Sequence, residues 1–296
     1  MTRSRLIAAA AITAVAVAFT ASVSGAGSGS RSPRMSPRTP YPTEGNGFDP
    51  ANFDASSTQV DNRFFPLAPG TRFFYRGWTG LGSEREPHRV VFTVTDLTKN
   101  VAGVQTVVGW DRDFGVDGLE ENELIFLAQD VDGNVWHLGQ YPERYDGEQF
   151  DGAAPFLVGY LEGVMAGIVM PADPRPGTPS YSEGYAPPPY YWDDHARVVN
   201  RGERTCVPAG CFDHVLEIQE FEPLKPHAWQ LKFYAPGVGY VRVGWRGRND
   251  EDHEVLRLVK MVQLNESAMA KARTTALEME GRASVYGLTP PLEPLS

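Results

Sequence analysis

The chain has 296 residues, and its 27 Lys and Arg against 37 Asp and Glu give a formal net charge of −10. An acid excess of this size repels phosphate backbones and anionic lipid, which argues against nucleic acid as a partner and otherwise serves solubility. The only cysteines, Cys206 and Cys211, leave none near the N-terminus to accept a lipid.

The first 26 residues carry Arg3 and Arg5, an apolar run from Leu6 to Phe19 with Thr13 as its single polar residue, and then Ser24-Gly25-Ala26, with small residues where a signal peptidase reads. A membrane span needs about 20 apolar residues, more than this run supplies. Residues 1–26 therefore read as a cleaved signal peptide, and the protein as secreted and extracellular with no stable membrane anchor. Residues 27–47, rich in Gly, Ser, Pro and Arg, cannot bury enough surface to fold and read as a disordered linker.

From Phe48 onward, short β-branched and aromatic runs alternate with Gly, Pro and Asp turns, the pattern of an antiparallel meander. Strands fit Thr71 to Trp78, Arg89 to Thr95, Val104 to Trp110, Leu124 to Gln129 and Val135 to Leu138. The turn Asp130-Val131-Asp132-Gly133-Asn134 joins the last two as a hairpin. Phe156 to Met170 is apolar but broken by Gly159, Gly163 and Gly167, and reads as a plug or lid over the sheet. Further strands fit Val215 to Glu220, then Trp229 to Phe233 and Val241 to Trp245 as a hairpin around Pro236-Gly237-Val238-Gly239, then Val255 to Leu264. About nine strands suffice for a barrel, a half barrel or a sandwich. Asn265 caps a short surface helix that runs to Gly281, so residues 48–264 read as one β domain and 265–296 as a C-terminal helix and tail.

No Gly-x-Ser-x-Gly elbow, His-Glu-x-x-His, phosphate-binding glycine loop or Cys-x-x-Cys pair occurs, so no catalytic motif and no cofactor is indicated. Cys206 and Cys211 enclose the turn Val-Pro-Ala-Gly, and export favours a structural disulfide between them. Asp130, Asp132 and Asn134 offer oxygens at alternate positions, as calcium loops do, yet no bidentate Glu follows and an ordinary hairpin turn accounts for them. His195 follows Asp193 and Asp194, an arrangement that tunes an imidazole for acid-base work, although a solvated loop histidine has the same neighbours. Glu220 shares a strand face with Leu216 and Ile218 and so points inward. A buried Lys or Arg partner explains such a carboxylate without catalysis. Tyr185, Tyr190, Tyr191 and Trp192 in the aromatic loop from Tyr181, with Tyr160 and Met165 from the glycine-broken segment, are the candidate ligand-binding residues. The same loop serves equally to cover a sheet edge.

Segments spread from Phe48 to about Gly244 resemble an uncharacterised group of bacterial secreted proteins and lipoproteins. They are Phe48-Asp-Pro-Ala-Asn-Phe53, Asp61-Asn-Arg-Phe-Phe-Pro-Leu-Ala-Pro-Gly-Thr71, Ala128-Gln-Asp-Val-Asp-Gly-Asn-Val-Trp136, Gly167-Ile-Val-Met-Pro171, Val207-Pro-Ala-Gly210 and Tyr234-Ala-Pro-Gly-Val-Gly239. The resemblance implies a curved antiparallel sheet like the half barrels of lipoprotein carriers, and carries no activity or catalytic residue. The two cysteines and the Pro-rich aromatic loop depart from it. The expected fold is thus mainly β, a single curved antiparallel sheet, half barrel or barrel-like, with a short C-terminal helix.

Three functions compete. The leading expectation is a soluble exported module that binds an apolar or aromatic small molecule or lipid in the concave face of the sheet. The second is an extracellular hydrolase using Glu220 or His195 with nearby Asp194, and the third a structural protein of the cell envelope. No motif sets an oligomeric state.

Overall fold

The structure, a computed structural model, describes residues 47–247 and 253–296. The signal peptide expected over 1–26 and the linker expected over 27–47 lie outside the described residues, apart from Gly47. In chain order the strands are β1 (Thr71–Thr79), β2 (Glu86–Val101), β3 (Val104–Gly115), β4 (Gly118–Gln129), β5 (Val135–Asp146), β6 (Gln149–Ala153), β7 (Phe156–Leu157), β8 (Met165–Met170), β9 (Tyr181–Ala186), β10 (Trp192–Val207), β11 (Gly210–Phe221), β12 (Ala228–Ala235), β13 (Gly239–Gly247) and β14 (Val255–Gln263). Helix α1 (Glu266–Arg282) and a two-residue β15 (Glu293–Pro294) follow.

All pairings are antiparallel, and twelve strands form a ring in the order β1-β14-β13-β12-β11-β10-β9-β8-β5-β4-β3-β2. The pairing of β1 with β2, from Arg72 opposite Thr93 to Thr79 opposite Glu86, closes it. The sheet is therefore a complete barrel rather than a half barrel, and closure removes the edge strands that an open sheet would have to protect. Strands β6 and β7 pair with the upper part of β5, and β15 with β2.

Two sequence readings are corrected. Phe156 to Met170 is no lid: it supplies β7 and β8, and β8 fills the wall between β5 and β9. Its glycines serve close packing, since a Cβ on Gly167 would sit 2.0 Å from the Glu183 carbonyl carbon. The segment from Tyr181 to Trp192 is not one loop but β9, a turn and the start of β10. Strand β10 shows almost no alternation, because Asn200 to Arg204 lie half-buried or exposed at a hairpin end with repeated register shifts.

A stopper is built before the first strand. Val60, Phe64 and Leu67 are buried in the interior apolar cluster, and backbone bonds from Gln129 N to Ser57 O (2.8 Å), Gly70 N to Val94 O (2.9 Å) and Gly237 N to Arg63 O (2.7 Å) tie the segment across one end of the barrel. Asn62, 6% exposed, pins it: its Nδ2 donates to the carbonyls of Gly133 and Pro171, while its Oδ1 accepts from Phe64 N.

Helix α1 begins at Asn265, whose side chain accepts from Ala268 N at 2.9 Å. Its Ala272, Ala276 and Met279 are fully buried in a second apolar cluster on the outside of the wall, with Leu97, Val108 and Phe126. Ion pairs Lys99–Glu280 (2.5 Å), Arg273–Asp96 and Arg282–Glu143 (2.7 Å) fasten it there.

Candidate binding site in the barrel interior

Register partners share a face of a sheet, so following them around the ring separates inner from outer side chains. Near the stopper the inner face is apolar, with Phe73, Phe92, Val107 and Leu127. Towards the other end the same alternation delivers charge. On β3 it runs from Val107 and Gly109 to Asp111 and Asp113, and on β4 from Leu127 and Ile125 to Glu123 and Glu121. Asp111 stands opposite Glu123, and Asp113 opposite Glu121.

Few donors meet these acids. Arg144 on β5 approaches Glu121 at 3.4 Å, and His88 on β2 lies 2.9 Å from Glu254 and 3.9 Å from Asp113. Among the described residues Asp113 and Glu123 have no hydrogen-bond partner, although they are 2% and 1% exposed. Asp111 accepts one bond, from Arg112 N at 2.9 Å, and its buried Oδ2 has none. An ion buried without partners sheds its charge. Burial, reinforced by Glu121 and Glu254, pushes Asp111 up to about 7. Burial and the neighbouring acids push Asp113 and Glu123 well above the carboxylate range. Burial disfavours a charged His88, but the bond to Glu254 and the surrounding acids outweigh it and raise the imidazole.

Across the barrel a second group forms on β9 to β12. Lys232 Nζ is 2.7 Å from Glu220 Oε2, both buried. Glu183, 3% exposed, and the half-buried Asp194 complete it. Burial raises Glu183 and Asp194 well above the usual range, Glu220 adding to Glu183 and Glu222 to Asp194. Lys232 is raised despite burial by Glu220 and Glu183, so it keeps its charge. Between the two groups lies a cavity of about 40 Å³, lined by Asp111, Phe92, Ile125 and Leu127 from β2 to β4 and by Glu183 and Lys232 from across the barrel. A water needs roughly 10–15 Å³ of such space, so the chamber takes a group of a few heavy atoms. Among the described residues no three His, Cys, Asp or Glu side chains are grouped to hold a metal ion.

The residues singled out from sequence are dispersed. Glu220 faces inward against Lys232, whereas His195 stands opposite Phe221 on the outer face, stacked on it at 5.8 Å and 3.0 Å from Asp193. Neighbouring register rows put the two on opposite sides of the wall, so they share no site. Asp194 joins the Glu220 group and accepts from the Trp192 indole at 2.6 Å. Trp192, 2% exposed, is core: it packs edge-on against Phe156 (4.8 Å) and His137 (5.5 Å). Burial lowers His137 to about 3, which keeps it neutral. Tyr160 is buried in the outer cluster. Met165 and Tyr185 are half-buried register partners, and Tyr190 and Tyr191 are half-buried in the turn before β10. Asp130 spends both oxygens on its own turn, accepting from the amides of Asp132 and Asn134, from Asn134 Nδ2 and from the Trp136 indole. Asn134 Oδ1 accepts from Ala172 N. Cys206 and Cys211 are cross-strand partners at the tip of the β10–β11 hairpin, at the disulfide distance of 2.04 Å.

No family model and no curated protein matches this chain. Solved structures similar to it include the following two. One, from Bacteroides fragilis NCTC 9343, is described as a putative exported protein with a YmcC-like fold; it is 15% identical over 68% of this chain and 99% of that one, with a TM-score of 0.40. The other, a putative lipoprotein from Parabacteroides distasonis ATCC 8503, is 16% identical over 68% and 99%, with a TM-score of 0.39. Among the described residues no helix is long and apolar enough to cross a membrane.

The interior acids lie just beyond the strand limits that apolar alternation sets. Val104 to Trp110 stops one residue before Asp111, and Leu124 to Gln129 begins one residue after Glu123. Asp111-Arg-Asp113 and Glu121-Asn-Glu123, each at the strand spacing of two, were the available signal.

Proposed function

We propose that this chain is an exported binding protein whose barrel interior holds a compact organic cation, a primary amine or amidine of a few heavy atoms. Release from the cell after removal of residues 1–26 belongs to the same reading, as does kinship with the uncharacterised secreted proteins and lipoproteins that its segments resemble. The observation that carries it is Asp111, which lines the cavity across the barrel from Glu183 and whose buried Oδ2 has no donor among the described residues. An ammonium or amidinium group supplies the missing donors and relieves the repulsion among the acids around it. Phe92, Ile125 and Leu127 suit a short apolar substituent. A lipid or drug-sized molecule fits this chamber poorly, since such ligands occupy pockets of roughly 300–1,000 Å³. The same tightness supports a second reading, in which the barrel is a structural protein of the envelope.

Calorimetry and thermal unfolding at pH 8 with methylammonium, propylammonium and acetamidinium, against propanol and acetamide, test the proposal. The cations are expected to bind and raise the melting temperature and their neutral counterparts to do neither, with Asp111→Asn weakening binding at least tenfold. If no cation binds, and native mass spectrometry of protein from its own host shows no added mass, the structural reading replaces it.

A further inference from the structure

The outer wall has the opposite charge. Across four adjacent strands, Arg89 on β2 stands opposite Arg76 on β1, Arg76 opposite Arg257 on β14, and Arg257 opposite Arg242 on β13. Phe114 on β3 and Phe233 on β12 end the row. All four arginines are exposed, and none pairs with a carboxylate among the described residues. Strands β1, β13 and β14 contain no Asp or Glu. Hydrogen-bonded strands lie about 4.8 Å apart, so the row sets one guanidinium per strand along roughly 14 Å of wall. Like charges directly opposite one another in a sheet cost stability, and the outer-face acid at one end of the row, Glu217 opposite Phe233, lies near Arg242 alone of the four.

From this ladder we infer a docking surface for a linear acidic polysaccharide, one with a carboxylate or sulfate on each repeat. A regular line of positive charge matches a regular line of negative charge, and the guanidinium fork fits a carboxylate with two parallel bonds. The neighbouring aromatic rings are covered. Arg242 lies over Phe233 at 4.6 Å, Arg89 over Phe114 at 4.7 Å, Lys260 over Phe74 at 4.4 Å and Arg246 over Trp229 at 5.4 Å. Capped rings on a convex wall leave no stacking platform for bases, which single-stranded nucleic acid needs. Of the exposed large apolar side chains only Met261 lies on these four strands, too little to enter a lipid surface. The net charge of −10 does not describe this wall, because it sums groups on both faces.

Binding of the whole protein to polygalacturonate at 50 and 300 mM salt tests the inference, with neutral dextran, phosphatidylglycerol vesicles and oligothymidylate as the other arms. Polygalacturonate is expected to bind and to weaken steeply with salt, and dextran to show nothing. Arg76→Ser with Arg257→Ser is expected to lose at least tenfold in affinity while melting no lower than the parent, because two repelling charges are gone. Arg89→Ser alone, in a variant with the central pair intact, is expected to lose a smaller factor. Unchanged affinity in the double variant overturns the inference, as does binding to the vesicles or the oligonucleotide in preference to polygalacturonate. None of these outcomes depends on a ligand inside the barrel.

Discussion

Asp111 and Glu123 face each other across β3 and β4 inside a closed barrel, and among the described residues they accept between them a single hydrogen bond. Two acids so placed cannot both ionise at modest cost, and the stability of the fold must record this as pH changes.

The sign follows from proton binding. Folded Asp111 keeps its proton up to about pH 7, whereas an unfolded chain releases it near 4. Between those values the folded state binds more protons, so stability falls as pH rises. His88 acts in the same direction: its raised folded value gives stability that is complete below about 6.5 and lost as pH climbs past that folded value. Glu143 acts oppositely. Burial opposes its charge, but Arg282 and Tyr145 hold it below the usual range, so its contribution is lost on acidification below about 4. The protein is expected to be more stable at pH 5 than at pH 8 by roughly 1–4 kcal/mol. Urea unfolding at the two pH values measures this, and Asp111→Asn should flatten the difference. Greater stability at pH 8 would contradict the account.

Among the described residues Lys232 is the one cation set against Glu220 and Glu183, and removing one partner of a buried ion pair leaves an uncompensated charge, at about 3–5 kcal/mol. Lys232→Met is therefore expected to destabilise strongly. Glu220→Gln should cost less, since Glu183 still faces the ammonium. Joining the two substitutions should recover part of the loss, and a double-mutant cycle in urea reads the coupling. Equal losses in the two single variants would show that Glu183 contributes nothing.

The hairpin logic of the fold was legible in the chain. The turns Asp130 to Asn134 and Pro236 to Gly239 join β4 to β5 and β12 to β13, because alternation and turn chemistry are local properties. Face assignment was harder. On β12 the apolar set Trp229, Leu231 and Phe233 points outward, with Arg246 over Trp229 and Arg242 over Phe233, while Gln230 and Lys232 point into the barrel. Alternation yields two faces and leaves open which of them is inside. Closure by β1 and β2 depends on contacts far apart in sequence, and the interior site is assembled from seven strands or more, so neither leaves a local pattern. Glu220 was placed inward from its strand phase. Its cation, Lys232, belongs to a different strand and had to come from the register.

The bridge between Cys206 and Cys211 closes a short loop at the tip of β10 and β11, where the flanking Val207 and Phe212 pack against the edge of the interior apolar cluster. Chain entropy assigns such a loop about 2 kcal/mol. Reduction, or Cys206→Ser with Cys211→Ser, is expected to lower the melting temperature by several degrees and leave the circular dichroism of the β sheet unchanged. Collapse of the whole fold on reduction would mean that the hairpin tip nucleates the barrel.

Asn62 offers the sharpest test of the stopper. Its side chain makes three hydrogen bonds, to the carbonyls of Gly133 and Pro171 and from the amide of Phe64. Two of these reach across the barrel mouth to the β4–β5 turn and the end of β8. Asn62→Ala leaves those groups without partners, at about 1–3 kcal/mol for each one that stays buried. Water at the mouth can satisfy some of them, so a total of roughly 2–4 kcal/mol is expected. Loss of the pin should also free residues 48–70 before the barrel itself opens. Hydrogen exchange should therefore rise at Leu67 and Gly237, whose amides bond to Val60 and Arg63, while Val108 and Phe126 in the wall stay protected. Asn62→Asp keeps the acceptor to Phe64 but loses both donated bonds, and should behave like the alanine variant. If exchange instead rises uniformly through stopper and wall, the N-terminal segment is an integral part of a single cooperative unit and not a separable closure.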